Sequence, residues 1–464
     1  MTQLPDSAVS RSGPAFMIIV AASWLLFVTA VYLPDVGRGF VKDDFGWVET
    51  GRAALQTPAD PLVRPRAGFY RPIVDFSFAI DYLAHDVRPR GYGVTNLALY
   101  VACVAALWLL CRAANLSAPA ASLAGLLWAV NPHGINMALV WISGRTSLCL
   151  TLFALLSAIA MLKQRDVWMA VFLAAALGSK EEAIVLPVIL LAWHRLLLER
   201  AGNPWRVAAH LATPLVAYLV LRFHTGAFTP ASAPSYYQFS FAPLSVLRNL
   251  FEYADRGATL FGIALLLTAA AYRLKPAIDD RHRRLIEACA VWFVGGYVLT
   301  VFLPIRSSLY AVFPSIGAAI GCGAIVETMV MRVGAQRAHL VRLGAVMAAV
   351  LLSLVPIYRA RNGRYVEPAR FSERALRTIE PYAAALTAGD VIVLHDVDDS
   401  TSSFVGAFGT FASDAVRLRS GRNVFVWIDP PPRDWRLAGL RRPGANQSHV
   451  AFGVDKGRVF RVPR

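Results

Sequence analysis

PAFMIIVAASWLLFVTAVYLPDVGRGFVKDDFGW, residues 14–47, decides how the chain is read. Residues 14–33 carry no charge, and about 20 helical residues span the roughly 30 Å hydrocarbon core of a bilayer. The run is long for a signal-peptide core, and no small-x-small site follows it, so it reads as an uncleaved first span. Past Pro34 the polarity reverses. Asp43 and Asp44 stand side by side between Phe40, Val41 and Phe45, so the segment after the span folds back toward apolar surface with two carboxylates in it.

The rest of the chain repeats the first theme. Of 464 residues, 56% are hydrophobic and 16% charged, where a soluble protein carries about 25% charged residues. Apolar runs at 14–33, 92–111, 118–131, 146–162, 167–179, 183–198, 207–222, 257–273, 286–304, 309–331 and 340–358 give about eleven transmembrane helices in a polytopic α-helical protein. With the N-terminus cytoplasmic, the even-numbered spans end in basic loops: Arg112, Lys163/Arg165, Arg195/Arg200/Arg206, the Arg273–Arg284 cluster and Arg332/Arg337/Arg342. The opposite short loops hold only Arg145, Lys180 and Arg306. This positive-inside bias puts the first loop (34–91), the loop 223–256 and the tail 359–464 outside the cytoplasm. The division expected is therefore a transmembrane domain over 1–358 and an extracytoplasmic module over 359–464. The net charge of +16 lies mostly beside spans, where lipid headgroups and topology account for it, and no nucleic acid partner is expected. Cys103, Cys111, Cys149, Cys289 and Cys322 fall in or at the ends of apolar runs, without metal or disulfide spacing, and read as buried free thiols.

Two regions outside the membrane have a pattern of their own. The first loop holds two helix-like pieces, near 45–56 and 72–84. The second sets Ile73, Phe76, Ile80 and Leu83 on one face, as in a helix lying along an interface. The tail reads as a small α/β module: a strand in GDVIVLHDV (389–397), a helix in SSFVGAFGTFASDAV (402–416), and a strand in NVFVWIDPPP (423–432) stopped by prolines. His395, Asp396, Asp398 and Asp399 loosely suggest a metal site. The glycine and closing glutamate of a calcium loop are missing, however, and an acidic turn at a strand end explains them as well.

Polar and ionisable residues collect on the outer side, where their presence at membrane depth points to function. Beyond the aspartate pair these are Tyr70 and Arg71, Thr95 and Asn96, His133, Asn136, Trp141 and Arg145, Lys180 with Glu181 and Glu182, and Arg306. Paired carboxylates raise the pKa of one member, which is how a site acquires a general base.

In register along the chain, FVKDDF (40–45), YRPIVDFSFAIDYL (70–83) with GYGVTNLALY (91–100), WISGR (141–145) and SKEEAIVLP (179–187) resemble the GT-C membrane glycosyltransferases. They are most similar to the protein O-mannosyltransferase-like branch, which includes transmembrane proteins with C-terminal tetratricopeptide repeats and bacterial relatives. The resemblance covers residues 14–331. It implies a transferase that takes a monosaccharide from a polyprenyl-phosphate donor and inverts at the anomeric carbon. It assigns the base to the pair Asp43 and Asp44, with Asp43 favoured as the first acid and Asp44 orienting it or the acceptor. A lipid phosphate leaving group needs cations at headgroup level, and Arg71, Arg145, Lys180 and Arg306 are the candidates. Tyr70, Asn96, His133, Trp141, Glu181 and Glu182 are candidates for holding substrate. Arginine and lysine suffice for a monophosphate, so no obligatory metal or other cofactor is expected. The expected partners are the donor, membrane lipid and a protein or glycan acceptor, and the expected location is a bacterial inner membrane.

Three departures stand out. Relatives often carry Asp two residues after the WISGR arginine, where this chain has Ser147, and His-x-Glu where it reads Pro132-His133-Gly134. No tetratricopeptide array follows the last span. A ligase moving a whole glycan from a lipid pyrophosphate shares the face and much of the chemistry. A transporter should show inverted repeats and midplane charges, and a scaffold gives no reason for the concentrated acids and cations.

Overall fold

The computed structural model describes residues 6–65, 68–198, 203–229, 232–272, 278–333, 337–387, 390–397, 401–432, 435, 442, 444 and 449–463. Five helical stretches among them are long and apolar enough to cross a membrane: Met17–Asp35, Pro89–Ala113, Ile142–Leu162, Pro204–His224 and Asp280–Phe302. They make the chain an integral membrane protein. Among the described residues five stretches meet this measure, fewer than the eleven or so expected. The runs at 118–131, 167–179 and 183–198 form helices of 12 residues, Ala118–Ala129, Asp166–Leu177 and Leu186–Leu197. Each is about 18 Å long, short of the hydrocarbon thickness. Helix starts follow local chemistry. Pro89 and Pro204 occupy first-turn positions that need no N–H, and Ser117 accepts from Ala120 N–H to cap Ala118–Ala129. The five cysteines are buried and free.

The first loop contains the helices Asp44–Gln56, Asp60–Val63 and Pro72–His85. In the last of these Val74 and Phe78 turn inward, while Ile80 is 66% and Leu83 75% exposed. That outward apolar face is the one expected to lie along an interface.

The helix Arg337–Ala384 has 48 residues, about 72 Å of continuous helix at 1.5 Å per residue. It therefore runs through the division expected at 358. Its second half stays helical because Phe371, Ala375, Ile379 and Ala383 recur at four-residue spacing and are all buried. They join Phe40, Phe45, Val48, Val74, Phe78, Tyr92 and Ile142 in one core with the tail module.

The module is a four-stranded sheet, β1 Val391–His395, β2 Phe425–Asp429, β3 His449–Asp455 and β4 Arg458–Arg461, in the order β2-β1-β3-β4. β1 pairs parallel with β2 and β3, and β4 pairs antiparallel with β3. The expected single helix at 402–416 is two, Phe404–Phe408 and Ala412–Ser420, because Gly409 takes φ +53° between them.

Candidate functional site

The two aspartates have different jobs. Asp44, 1% exposed, opens the helix Asp44–Gln56. Its carboxylate accepts the Val41 N–H at 3.0 Å, the Ser143 N–H at 2.7 Å and the Ser143 hydroxyl at 2.5 Å. It is a clamp between the end of the first loop's entry and the WISGR turn. Asp43 is half-buried, and its Oδ1 is shut off from solvent with no hydrogen-bond partner. Burial first, then the neighbouring Asp44, push its carboxyl up to about 8, against the opposing charges of Lys42 and Arg71. Burial also lifts Asp44, to about 6, with the Ser143 and Val41 hydrogen bonds holding it back. Asp43 is thus a carboxylate of unusually high proton affinity with a free lone pair.

The tail module closes one side of this turn. Lys42 donates its N–H to Ala407 O at 2.8 Å while holding φ +53°. A Cβ on Gly46 would stand 2.7 Å from the Phe411 ring, so only glycine allows that approach.

The cations come next. Arg71 precedes the helix Pro72–His85 and grips Glu181 through Nε and Nη2, at 2.7–3.2 Å. Arg222 reaches the same carboxylate at 3.4 Å. Burial pushes Glu181 up, but Arg71 and Arg222 outweigh it and hold the carboxyl below its ordinary range. Ile73 N–H donates to Gly178 O at 3.0 Å, which fixes the Arg71 segment beside the Lys180 turn. Lys180 pairs with Glu182 at 2.6 Å and donates to Ser147 Oγ at 2.9 Å. At the position where relatives carry aspartate, Ser147 therefore supplies only a hydroxyl, and Glu182 supplies the charge. Arg306 pairs with Glu252 at 3.2 Å, as do Arg248 and Arg256 at 3.0 and 2.9 Å. Six cations here share three glutamates, an arrangement with positive charge in hand for an anion.

Other sequence candidates lie elsewhere. Arg145 is 0% exposed and spends its guanidinium inside the protein, on Asn96 Oδ1, Ser77 O and Oγ, Asp81 Oδ2 and Tyr92 O, with its plane over the Phe78 ring. Asn96 donates its amide to the carbonyls of Ala138, Trp141 and Ile142. The two form a buried hub that locks the WISGR turn, and neither is carried into the ligand set below. Tyr70 is buried, with its hydroxyl on Leu62 O. Trp141 stacks on Tyr365 of the long helix. His133 is half-buried, and burial with the Arg361 charge lowers its pKa. Asp396 accepts the N–H groups of Phe404 and Val405, and Asp398 and Asp399 lie outside the described residues. Among the described residues no group of three or more His, Cys, Asp or Glu could hold a metal ion.

Sequence reasoning passed over Ser143, Arg222, Glu252 and Arg256. Arg222 ends an apolar run on the outer side, a signal equal to that of Arg306. Glu252 and Arg256 sit within the helix Pro243–Tyr272 and have no local mark.

No protein-family model and no curated protein matches the chain. Solved structures of ArnT from Cupriavidus metallidurans are similar. The form bound to undecaprenyl phosphate matches with TM-score 0.49 and 11% identity, over 94% of this chain and 92% of that one. The apo form matches with TM-score 0.46 and 14% identity over the same shares. Likeness at that level adds nothing to the reading of the site, and it lends no support to the O-mannosyltransferase-like branch.

Proposed function

We propose that the protein is a membrane glycosyltransferase that moves one sugar from a polyprenyl-phosphate donor to an acceptor hydroxyl on the extracytoplasmic face of a bacterial inner membrane. The observation that carries this reading is Asp43, a carboxylate with an unpartnered oxygen and a raised pKa whose charge interacts with Arg71. Asp43 takes the proton of the acceptor hydroxyl as that oxygen attacks the anomeric carbon. The bond from that carbon to the phosphate oxygen breaks, its electron pair stays on the phosphate, and polyprenyl phosphate leaves with inversion. Arg71, Arg222, Lys180 and Arg306 offset the charge gathering on the leaving oxygen. Being fixed before reaction, they pay no reorganisation cost. Asp44 holds the turn and keeps Asp43 basic. Neither step requires a metal.

The test is transfer from radiolabelled polyprenyl-phosphate sugars to membrane and envelope acceptors by purified protein. Asp43→Asn should abolish transfer while the protein stays inserted and folded. Wild-type activity in that variant would remove the base from this reading.

A further inference from the structure

Where the apolar half of helix Arg337–Ala384 ends, arginines begin. Val350, Leu354, Ile357, Arg361 and Arg364 recur at four- and three-residue spacing, which sets them on one stripe of the helix. Val350 is 49% and Ile357 55% exposed, Leu354 and Arg361 are half-buried, and Arg364 is exposed. From Val350 to Arg361 the helix rises about 16 Å, close to one leaflet of a hydrocarbon core roughly 30 Å thick. The stripe is apolar for the depth of a leaflet and basic at its end.

The neighbouring span fixes that depth. Tyr358 meets Phe27 edge-on with centroids 4.9 Å apart, Arg359 donates to Ala30 O at 2.9 Å, and Asn362 Nδ2 donates to Val31 O at 3.1 Å. Ala30 and Val31 lie near the end of the apolar stretch Met17–Asp35, so Arg361 and Arg364 stand where hydrocarbon gives way to headgroups. Arg359 is spent on that junction. Among the described residues no carboxylate pairs with Arg361 or Arg364. The cations of the candidate site differ: Arg71, Arg222, Arg256 and Arg306 all hold glutamates. The Arg361 charge acts on His133, Tyr358 and Tyr365, which places it between the long helix and the His133 turn. On the side expected to lie outside the cytoplasm, basic residues beside a span run against the positive-inside bias. Two uncompensated cations capping an exposed apolar stripe match the build of a site for an anionic headgroup.

We propose that this stripe binds one anionic phospholipid, with its acyl chains along Val350, Leu354 and Ile357 and its phosphate on Arg361 and Arg364. The site uses none of the donor-phosphate cations and stands apart from the glycosyltransferase reading. A guanidinium offers phosphate oxygens a planar fork of N–H donors. A free phosphate ion shares that chemistry, but only a lipid also covers the exposed valine and isoleucine below it.

The test titrates purified full-length protein in detergent with phosphatidylglycerol, phosphatidylcholine and inorganic phosphate. Wild type is compared with the double variant Arg361→Gln, Arg364→Gln and with Arg374→Gln, Arg377→Gln, which removes the same charge about 15 Å or more farther along the helix. Wild type should bind phosphatidylglycerol about tenfold tighter than phosphatidylcholine. The first double variant should lose most of that preference, and the second should keep it. Equal affinity for the two lipids, a preference that survives in the first variant, or equal loss in both variants overturns the site. Inorganic phosphate that displaces the lipid at about 1 mM or below overturns the lipid as its occupant. A second measurement needs no variant: phosphatidylglycerol with a photoreactive acyl chain should label wild type within residues 350–357. Label concentrated elsewhere on the chain overturns the placement.

Discussion

Asp44 and Ser143, 99 residues apart in sequence, are joined by two hydrogen bonds onto the single oxygen Asp44 Oδ1. That junction ties the acidic turn to the WISGR turn and leaves Asp43 as the carboxylate with a free lone pair. Ser143→Ala keeps the N–H bond and removes the hydroxyl bond to a charged acceptor, at a cost of about 1.5–3 kcal/mol. A clear fall in the thermal midpoint, with reduced transfer, is the expected result. An unchanged midpoint would mean that Asp44 needs no such anchor.

The carboxyl of Asp43, pushed up to about 8, sets two pH dependences. As a base it works only when deprotonated, so kcat/KM should rise with pH and level off above about 8. Stability moves the other way. The folded state holds a proton that the unfolded chain gives up near the ordinary aspartate value, so stability is full below about pH 4 and is lost as pH rises toward 8. Asp43→Asn should therefore gain thermal midpoint over wild type as pH climbs through that window. A rate profile flat from pH 6 to 9, or a midpoint difference independent of pH, contradicts the assignment.

Arg145 distinguishes a structural cation from a ligand for phosphate. With the Asp81 carboxylate buried against it at 2.5 Å, Arg145→Met leaves an uncompensated charge and should cost about 3–5 kcal/mol. The double variant Arg145→Met, Asp81→Leu should recover part of that loss, because both charges leave together. A phosphate ligand behaves differently: its loss gives a stable protein with weak donor binding. Thermal unfolding of the two variants decides between them.

What the sequence revealed depended on how local the cause was. The helices at 45–56 and 72–84 and the strands near 391 and 425 follow from periodicity within the segment. Arg145 does not, because an arginine ending a membrane run looks the same whether it meets headgroups or a buried Asp81 from another helix. The turn Lys456-Gly457 joins β3 to β4, with both residues at positive φ, as a two-residue hairpin loop requires. Lysine in the first position hid it, and both strands went unread. The apolar run 340–358 reads as a span that ends at 358, yet helix Arg337–Ala384 continues because its buried face matches the module and first-loop core. Of the candidate site, the acids and Arg71, Lys180 and Glu181 were visible as outer-side charges. Glu252 and Arg256 were not, since nothing short of the folded chain brings Arg306 onto the carboxylate of Glu252 that Arg256 also holds.

Lys42 carries the remaining prediction. It is a non-glycine residue at φ +53°, a conformation that costs an L-residue about 1–2 kcal/mol. Its own N–H bond to Ala407 O and the Asp44 bond to Val41 N–H keep it there. Glycine relieves that strain and keeps the N–H, while adding about 0.5–1 kcal/mol of chain entropy to lose on folding. Lys42→Gly should therefore change stability by no more than about 1 kcal/mol. Its effect on chemistry is different. The Lys42 charge opposes the rise in the Asp43 pKa, so removing it moves the rising limb of the rate profile to higher pH. Lys42→Val provides the contrast, since a β-branched residue fits this backbone poorly and should unfold earlier. If Lys42→Gly leaves the limb where it was, the turn's lysine has no hold on Asp43. If it unfolds as early as Lys42→Val, the side chain rather than the backbone secures the turn.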